Sequence, residues 1–140
     1  MKFHLTLFLS AFFCAVGWAQ TTEWQLDLES PAHAPTLFPD AAQPTGLVVV
    51  AGDEVMRVDG TGEVLWRAKQ AAPLGAPATV ADISGDPEPE ILTATIEGEV
   101  LCLDATGSLL WSYETGSPLG GFECLVAAAV LDEPGVEVIF

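Results

Sequence analysis

Val55-Met56-Arg57-Val58-Asp59-Gly60-Thr61-Gly62-Glu63-Val64-Leu65-Trp66 returns as Val100-Leu101-Cys102-Leu103-Asp104-Ala105-Thr106-Gly107-Ser108-Leu109-Leu110-Trp111, each position displaced by 45 residues. In both copies an apolar run ends in Asp, a four-residue turn closes on Gly, and a second apolar run carries Trp. Two strands joined by a turn are the direct reading, because Gly takes the positive φ that such turns demand. A tandem unit of roughly 40–50 residues built from short strands has the period of a β-propeller blade. The spacing therefore predicts an all-β chain.

Working outward, Trp24, Trp66 and Trp111 each precede a small-residue stretch ending in Asp40, Asp82 and Asp132, with gaps of 16, 16 and 21 residues. The central unit predicts four antiparallel strands: 78–81, a β-branched run of mixed burial at 90–96, then 99–103, and an outer strand over 108–113. The preceding unit predicts strands at 35–38, 46–51, 54–58 and 63–68. A following unit supplies only two, at 125–131 and 136–140. Residues 24–28 read as a lone outer strand. The expected architecture is a partial β-propeller of four-stranded antiparallel blades, about two and a half in number: one blade over 35–68, one over 78–114 and a partial one over 125–140. A closed ring needs at least four, so the sequence is expected to be the N-terminal part of a longer polypeptide. Its C-terminal blades are then its first partners.

The first 19 residues read differently. Met1-Lys2-Phe3-His4 is a short basic start, 5–16 is an apolar run, and Gly17-Trp18-Ala19 offers a cleavage site before Gln20. That is the pattern of a secretory signal peptide, too short for a membrane span. The expected destination is the periplasm, the cell surface or the medium, with no membrane insertion after cleavage.

Charge narrows the partners. The chain has 4 Lys plus Arg against 20 Asp plus Glu, a net charge of −16. Removing the leader leaves Arg57, Arg67 and Lys69 as the basic residues. Such a surface repels nucleic acid and anionic membranes. Two cysteines would remain, Cys102 and Cys124, and they read either as a bridge or as buried free thiols. His33 would be the single remaining histidine, so a histidine-based metal site has no partners. Ser30, Ser84, Ser108, Ser112 and Ser117 have no histidine near them in sequence, and no nucleophile–base pair is legible.

Two resemblances follow. The stretch from Val100 through Asp104-Ala105-Thr106-Gly107 to Trp111 and Gly116 resembles the repeat of quinoprotein-like (PQQ-type) propellers. Ala81-Asp82-Ile83-Ser84-Gly85-Asp86-Pro87-Glu88-Pro89-Glu90 resembles the Asp-rich turn of FG-GAP or VCBS-type propellers of secreted and adhesive proteins. The second resemblance implies Ca²⁺ as a cofactor, held by the side chains of Asp82, Ser84, Asp86 and Glu90 with the carbonyl of Glu88. Alternate oxygen donors suit that cation. Ser84 and Pro87 depart from the family pattern, and the same loop also reads as an acidic turn stiffened by proline. Asp40 and Asp132 lack the other ligands and read as turn residues. The tryptophans, one per unit, read as pegs between blades rather than as a quinone platform.

The function expected from these features is a secreted, non-catalytic binding or adhesion scaffold, with a protein or carbohydrate ligand at a propeller face and no catalytic residues of its own. Two alternatives stay open: the N-terminal part of a quinoprotein-like dehydrogenase or other secreted enzyme, and a scaffold for outer-membrane assembly.

Overall fold

The computed structural model describes residues 3–8, 22–39, 46–86, 88–118, 125–128 and 136–139. Within them lie twelve strands and no helix: β1 (Phe3–Phe8), β2 (Thr22–Leu28), β3 (Thr36–Phe38), β4 (Gly46–Ala51), β5 (Glu54–Val58), β6 (Val64–Lys69), β7 (Thr79–Ala81), β8 (Glu90–Ala94), β9 (Glu99–Leu103), β10 (Leu109–Glu114), β11 (Val126–Ala128) and β12 (Glu137–Ile139). β3 to β6 form one antiparallel four-stranded sheet in chain order, and β7 to β10 form a second. These are two complete blades. β11 and β12 pair as the first two strands of a third. The fold is all-β, a partial propeller.

Burial explains why the middle strands carry unbroken apolar runs. β4 (Gly-Leu-Val-Val-Val-Ala) is buried along its whole length, and so is β8. In a blade stacked between two others both faces of the middle strands are covered, so alternation of polar and apolar residues disappears. One apolar cluster joins Phe38, Val48, Val50 and Val55 of the first blade to Leu74, Ala78, Ile91, Leu101 and Leu103 of the second. A second lies on the other side of the first blade, where Leu47, Val49, Met56 and Val58 meet Leu26 and Leu28 of β2. A third joins Leu92, Ala94, Val100 and Cys102 to Leu125, with Ala127 and Val138 against it.

Two expectations are corrected. The mixed polarity of 90–96 does not mean mixed exposure through β8. Glu90, Thr93 and Thr95 are buried, and each has a hydrogen-bond partner that removes the cost of burial. Thr93 Oγ1 donates to the Ala76 carbonyl at 3.0 Å, and Thr95 Oγ1 accepts the Glu99 amide at 3.0 Å. Nor does the strand at 24–28 stand alone: β2 pairs antiparallel with β1, inside the segment read as a leader. The leader's remaining run and its Gly17-Trp18-Ala19 site lie outside the described residues. No helix among those described is long and apolar enough to cross a membrane.

Each blade is tied to the next at two radii. At the outer edge, Trp66 lies on the turn of the following blade, its Nε1 donating to the Ala105 carbonyl at 2.9 Å. A Cβ placed on Gly107 would sit 2.8 Å from the Trp66 ring, and Gly107 has φ +86°. Trp24 covers Gly62 in the same way, with a Cβ there at 2.6 Å from the ring and φ +89°. At the inner edge, Thr36 Oγ1 donates to the Ala78 carbonyl at 2.5 Å, and Thr79 Oγ1 donates to the Leu125 carbonyl.

A bulge aims the indoles. In β6, Val64 pairs with Val58 and Trp66 with Arg57, which leaves Leu65 as the extra residue. In β10, Leu109 pairs with Leu103 and Trp111 with Cys102, leaving Leu110 extra. An inserted residue breaks the period of two. Val64 accordingly packs toward β2 while Trp66 packs toward the second blade.

Replacing Gly107 by Ala adds both a strained backbone and an indole clash. A loss of about 2 kcal/mol or more is expected, whereas Gly85→Ala, at φ +83° with nothing within 4 Å, should lose only about 1 kcal/mol of left-handed strain. Thermal denaturation of the two variants makes the comparison, and equal losses would remove the ring contact from the stability of the seam.

Candidate functional site

The loop over 82–90 connects β7 to β8 at one end of the second blade, and its acidic residues do not converge. Asp82 Oδ1 accepts the Gly85 amide at 2.8 Å. Asp86 Oδ1 accepts the Glu88 amide at 2.8 Å, and Ser84 Oγ accepts the Asp86 amide at 3.3 Å. Glu90, buried at the start of β8, reaches back so that Oε2 accepts the amides of Ile83 (2.8 Å) and Ser84 (3.3 Å). Side chains of Asp and Ser that bond a backbone two or three residues on are ordinary turn devices. Among the described residues no three His, Cys, Asp or Glu side chains gather as metal ligands. The five residues named for Ca²⁺, Asp82, Ser84, Asp86, Glu88 and Glu90, share this loop, and in this conformation the carboxylates of Asp82, Asp86 and Glu90 accept backbone amides of the loop itself. Pro87, Asp40 and Asp132 lie outside the described residues.

The turns between third and fourth strands are more regular. Asp59 Oδ1 accepts the amides of Thr61 (2.8 Å) and Glu63 (2.9 Å) and the Thr61 hydroxyl (2.8 Å). Asp104 repeats this with Thr106, Ser108 and the Thr106 hydroxyl at 2.8, 2.9 and 2.7 Å. Hydrogen bonds to a carboxylate favour its charged form. The Thr61 hydroxyl, then the Glu63 amide, holds the Asp59 carboxyl below its ordinary value of 3.8. For Asp104 burial acts upward, but the Thr106 hydroxyl and the amides of Ser108, Thr106 and Gly107 outweigh it, and its carboxyl is also held low. These Asp residues organise the turns on which the indoles lie. Sequence reading took the turns from glycine alone; the shared Asp-x-Thr-Gly spacing was the signal that the Asp caps them.

His33 Nε2 lies 3.3 Å from the Leu74 carbonyl. Cys102 is a free, buried thiol, and burial first, then the nearby charges of Glu90 and Asp104, pushes it up to about 12, so it stays protonated at neutral pH. Cys124 lies outside the described residues. Arg57 is buried with its guanidinium carbon 3.4 Å from the centre of the Phe38 ring. Arg67 pairs with Glu54 at 3.2 Å and Lys69 with Asp53 at 3.1 Å.

Repeated four-stranded antiparallel sheets, stacked face to face and locked by one indole per seam, define a β-propeller repeat protein. Residues 49–137 match the lambda-carrageenase β-propeller domain family, and the chain belongs to that family. It is a propeller family other than the two that the motifs resemble. No curated protein matches the chain.

Three outcomes are expected of these groups. Melting midpoints in excess Ca²⁺ and in chelator should coincide; a rise with Ca²⁺ that Asp86→Ala abolishes would reinstate the ligand set. Glu90→Ala should lose about 1–3 kcal/mol on denaturant unfolding, because two loop amides lose a buried acceptor. Because the folded carboxyls of Asp59 and Asp104 titrate below their unfolded values, their stabilisation is present above pH 3.8 and is lost as pH falls through the lower folded values. Melting between pH 2 and 5 should therefore be flatter for Asp59→Asn/Asp104→Asn than for the parent.

Proposed function

We propose that this chain is part of an exported β-propeller that acts as a carbohydrate-binding scaffold, without chemistry of its own. One observation supports the reading: among the described residues, several of the polar groups that could do chemistry are engaged in holding turns and seams. Asp59, Asp104 and Glu90 cap turns, Thr36 and Thr79 stitch seams, and the Cys102 thiol is buried and protonated. Stacked blades joined by buried apolar clusters present a surface on which a polymer chain can lie.

The family's name supports a polysaccharide as the ligand class and charge narrows it. λ-Carrageenan is a sulfated galactan, hence a polyanion. Against it stands a chain with 20 acidic residues and 4 basic ones. Arg57 is buried, while Arg67 and Lys69 each neutralise a neighbouring carboxylate. Coulomb repulsion over about 8–10 Å at physiological ionic strength opposes a sulfated chain on these blades. A neutral galactan meets no such barrier. The second reading, favoured by the same family name, is that these blades belong to a larger polysaccharide-cleaving enzyme.

Affinity electrophoresis of the chain through gels containing neutral agarose-type galactan or λ-carrageenan separates the possibilities, with reducing-end release measured in parallel. Retardation by the neutral polymer, no retardation by the sulfated one and no new reducing ends are expected. Release of reducing ends would overturn the scaffold reading, and tighter retention by the sulfated polymer would overturn the charge argument. Export has its own check: mass measurement of the released protein should place its first residue at Gln20.

A further inference from the structure

The chain contains a single Asp-Gly pair, Asp59-Gly60, and no asparagine. The pair opens the turn between β5 and β6, where both residues are partly exposed to water. Aspartate followed by glycine is open to attack by its own backbone, because no Cβ stands beside the glycine nitrogen to hinder its approach to the carboxyl. The matching turn of the second blade carries Asp104-Ala105 instead. Its cap is built from the same donors at almost the same distances. At the attacking residue the two turns therefore differ by one Cβ.

We propose that Asp59-Gly60 is a site of spontaneous isomerisation to isoaspartate, held closed by the intact first seam and released when that seam opens. The Gly60 nitrogen attacks Cγ of Asp59. A C–N bond forms, the carboxyl hydroxyl leaves with the amide proton as water, and a cyclic imide results. Water then adds at the Asp59 backbone carbonyl and breaks its bond to nitrogen. That leaves a free α-carboxylate and a chain that runs through Cβ and Cγ. One water leaves and one enters, so no oxidant or other reagent is consumed.

The folded turn opposes the first step. Asp59 Oδ1 accepts the Thr61 hydroxyl and the amides of Thr61 and Glu63, all of them beyond Gly60 in the chain. The Thr61 hydroxyl first, then the Glu63 amide, also favours the ionised carboxylate, which has no hydroxyl to expel. Trp24 lies on Gly62 and keeps the turn from unwinding. Opening the seam relaxes these restraints together, and slow irreversible chemistry proceeds from such opened states. The product does not close again. Its backbone is one carbon longer at residue 59 and its side chain one carbon shorter, so the acceptor leaves Thr61 and Glu63 and Gly62 no longer meets the indole. The second seam, with Ala105 after its Asp, lacks this route.

Three samples are incubated at neutral pH in water labelled with heavy oxygen: the full chain, its Trp24→Ala variant and a synthetic peptide of residues 58–67. An endoprotease that cuts before aspartate but not before isoaspartate reads both turns in one digest, and mass spectrometry finds the label that imide hydrolysis leaves. The free peptide should convert about tenfold or more faster than the same stretch in the full chain, with Trp24→Ala between them. Thr61→Val, which removes one donor and leaves the indole in place, should also convert faster than the parent and serves if Trp24→Ala does not fold. Gly60→Ala should bring labelling at Asp59 down to the level at Asp104. The isomerised chain, separated from the parent of equal mass, should melt at a lower temperature. No label in the free peptide, equal rates in peptide and full chain, labelling of Asp104 as fast as of Asp59, or an isomerised chain that melts with the parent would each overturn the proposal.

Discussion

An indole laid flat on a turn that lacks a side chain is the contact on which the blade stack depends. The contact works because the turn meets two demands with one residue. The backbone must adopt positive φ to reverse within four residues, and the ring must approach to a distance that a Cβ would occupy. Glycine meets both at Gly62 and Gly107. The Asp at the start of each turn fixes the loop by accepting two amides and a hydroxyl, so the glycine is presented in one conformation. The ring then sits partly against the apolar cluster shared by two blades. Local turn chemistry and long-range packing therefore stabilise the same arrangement.

The interior follows from that stacking. Once a blade is covered on both faces, its middle strands must be apolar or fully hydrogen-bonded throughout. Val48, Val49 and Val50 satisfy the first condition, and Thr93, Thr95 and Glu90 satisfy the second. Glu90 shows how closely the two are balanced. Its carboxylate lies at a blade end, where it holds the loop over 82–90 through Ile83 and Ser84 rather than facing solvent.

Much of this was legible in the order of residues, and the limits have physical causes. The repeat at 45 residues and its Gly and Trp positions are readable because turns and seams constrain residue type at fixed spacing. The middle strands are readable because apolar runs of that length between turn signals have few other uses. What escapes the sequence is side-chain geometry across units. Nothing local to Thr36 or Thr79 shows that a hydroxyl will meet a carbonyl some forty residues on. The bulges at Leu65 and Leu110 are invisible for a similar reason, since an extra residue appears only against its partner strand. The loop at 82–90 has ligand-like spacing, yet spacing does not fix direction, and its carboxylates accept their own backbone amides.

The seam also has a polarity. Each unit carries a ring on its outgoing side and a bare turn on its incoming side, so neighbours join head to tail rather than by a two-fold relation. Contacts of that kind either close into a circle or grow into an open helix, depending only on the rotation from one unit to the next. Because both halves of the joint travel on one stretch of about 45 residues, duplicating that stretch in a gene adds a fitting wedge at once. The number of wedges in such a ring is therefore open to change by recombination, with no new joint to be invented.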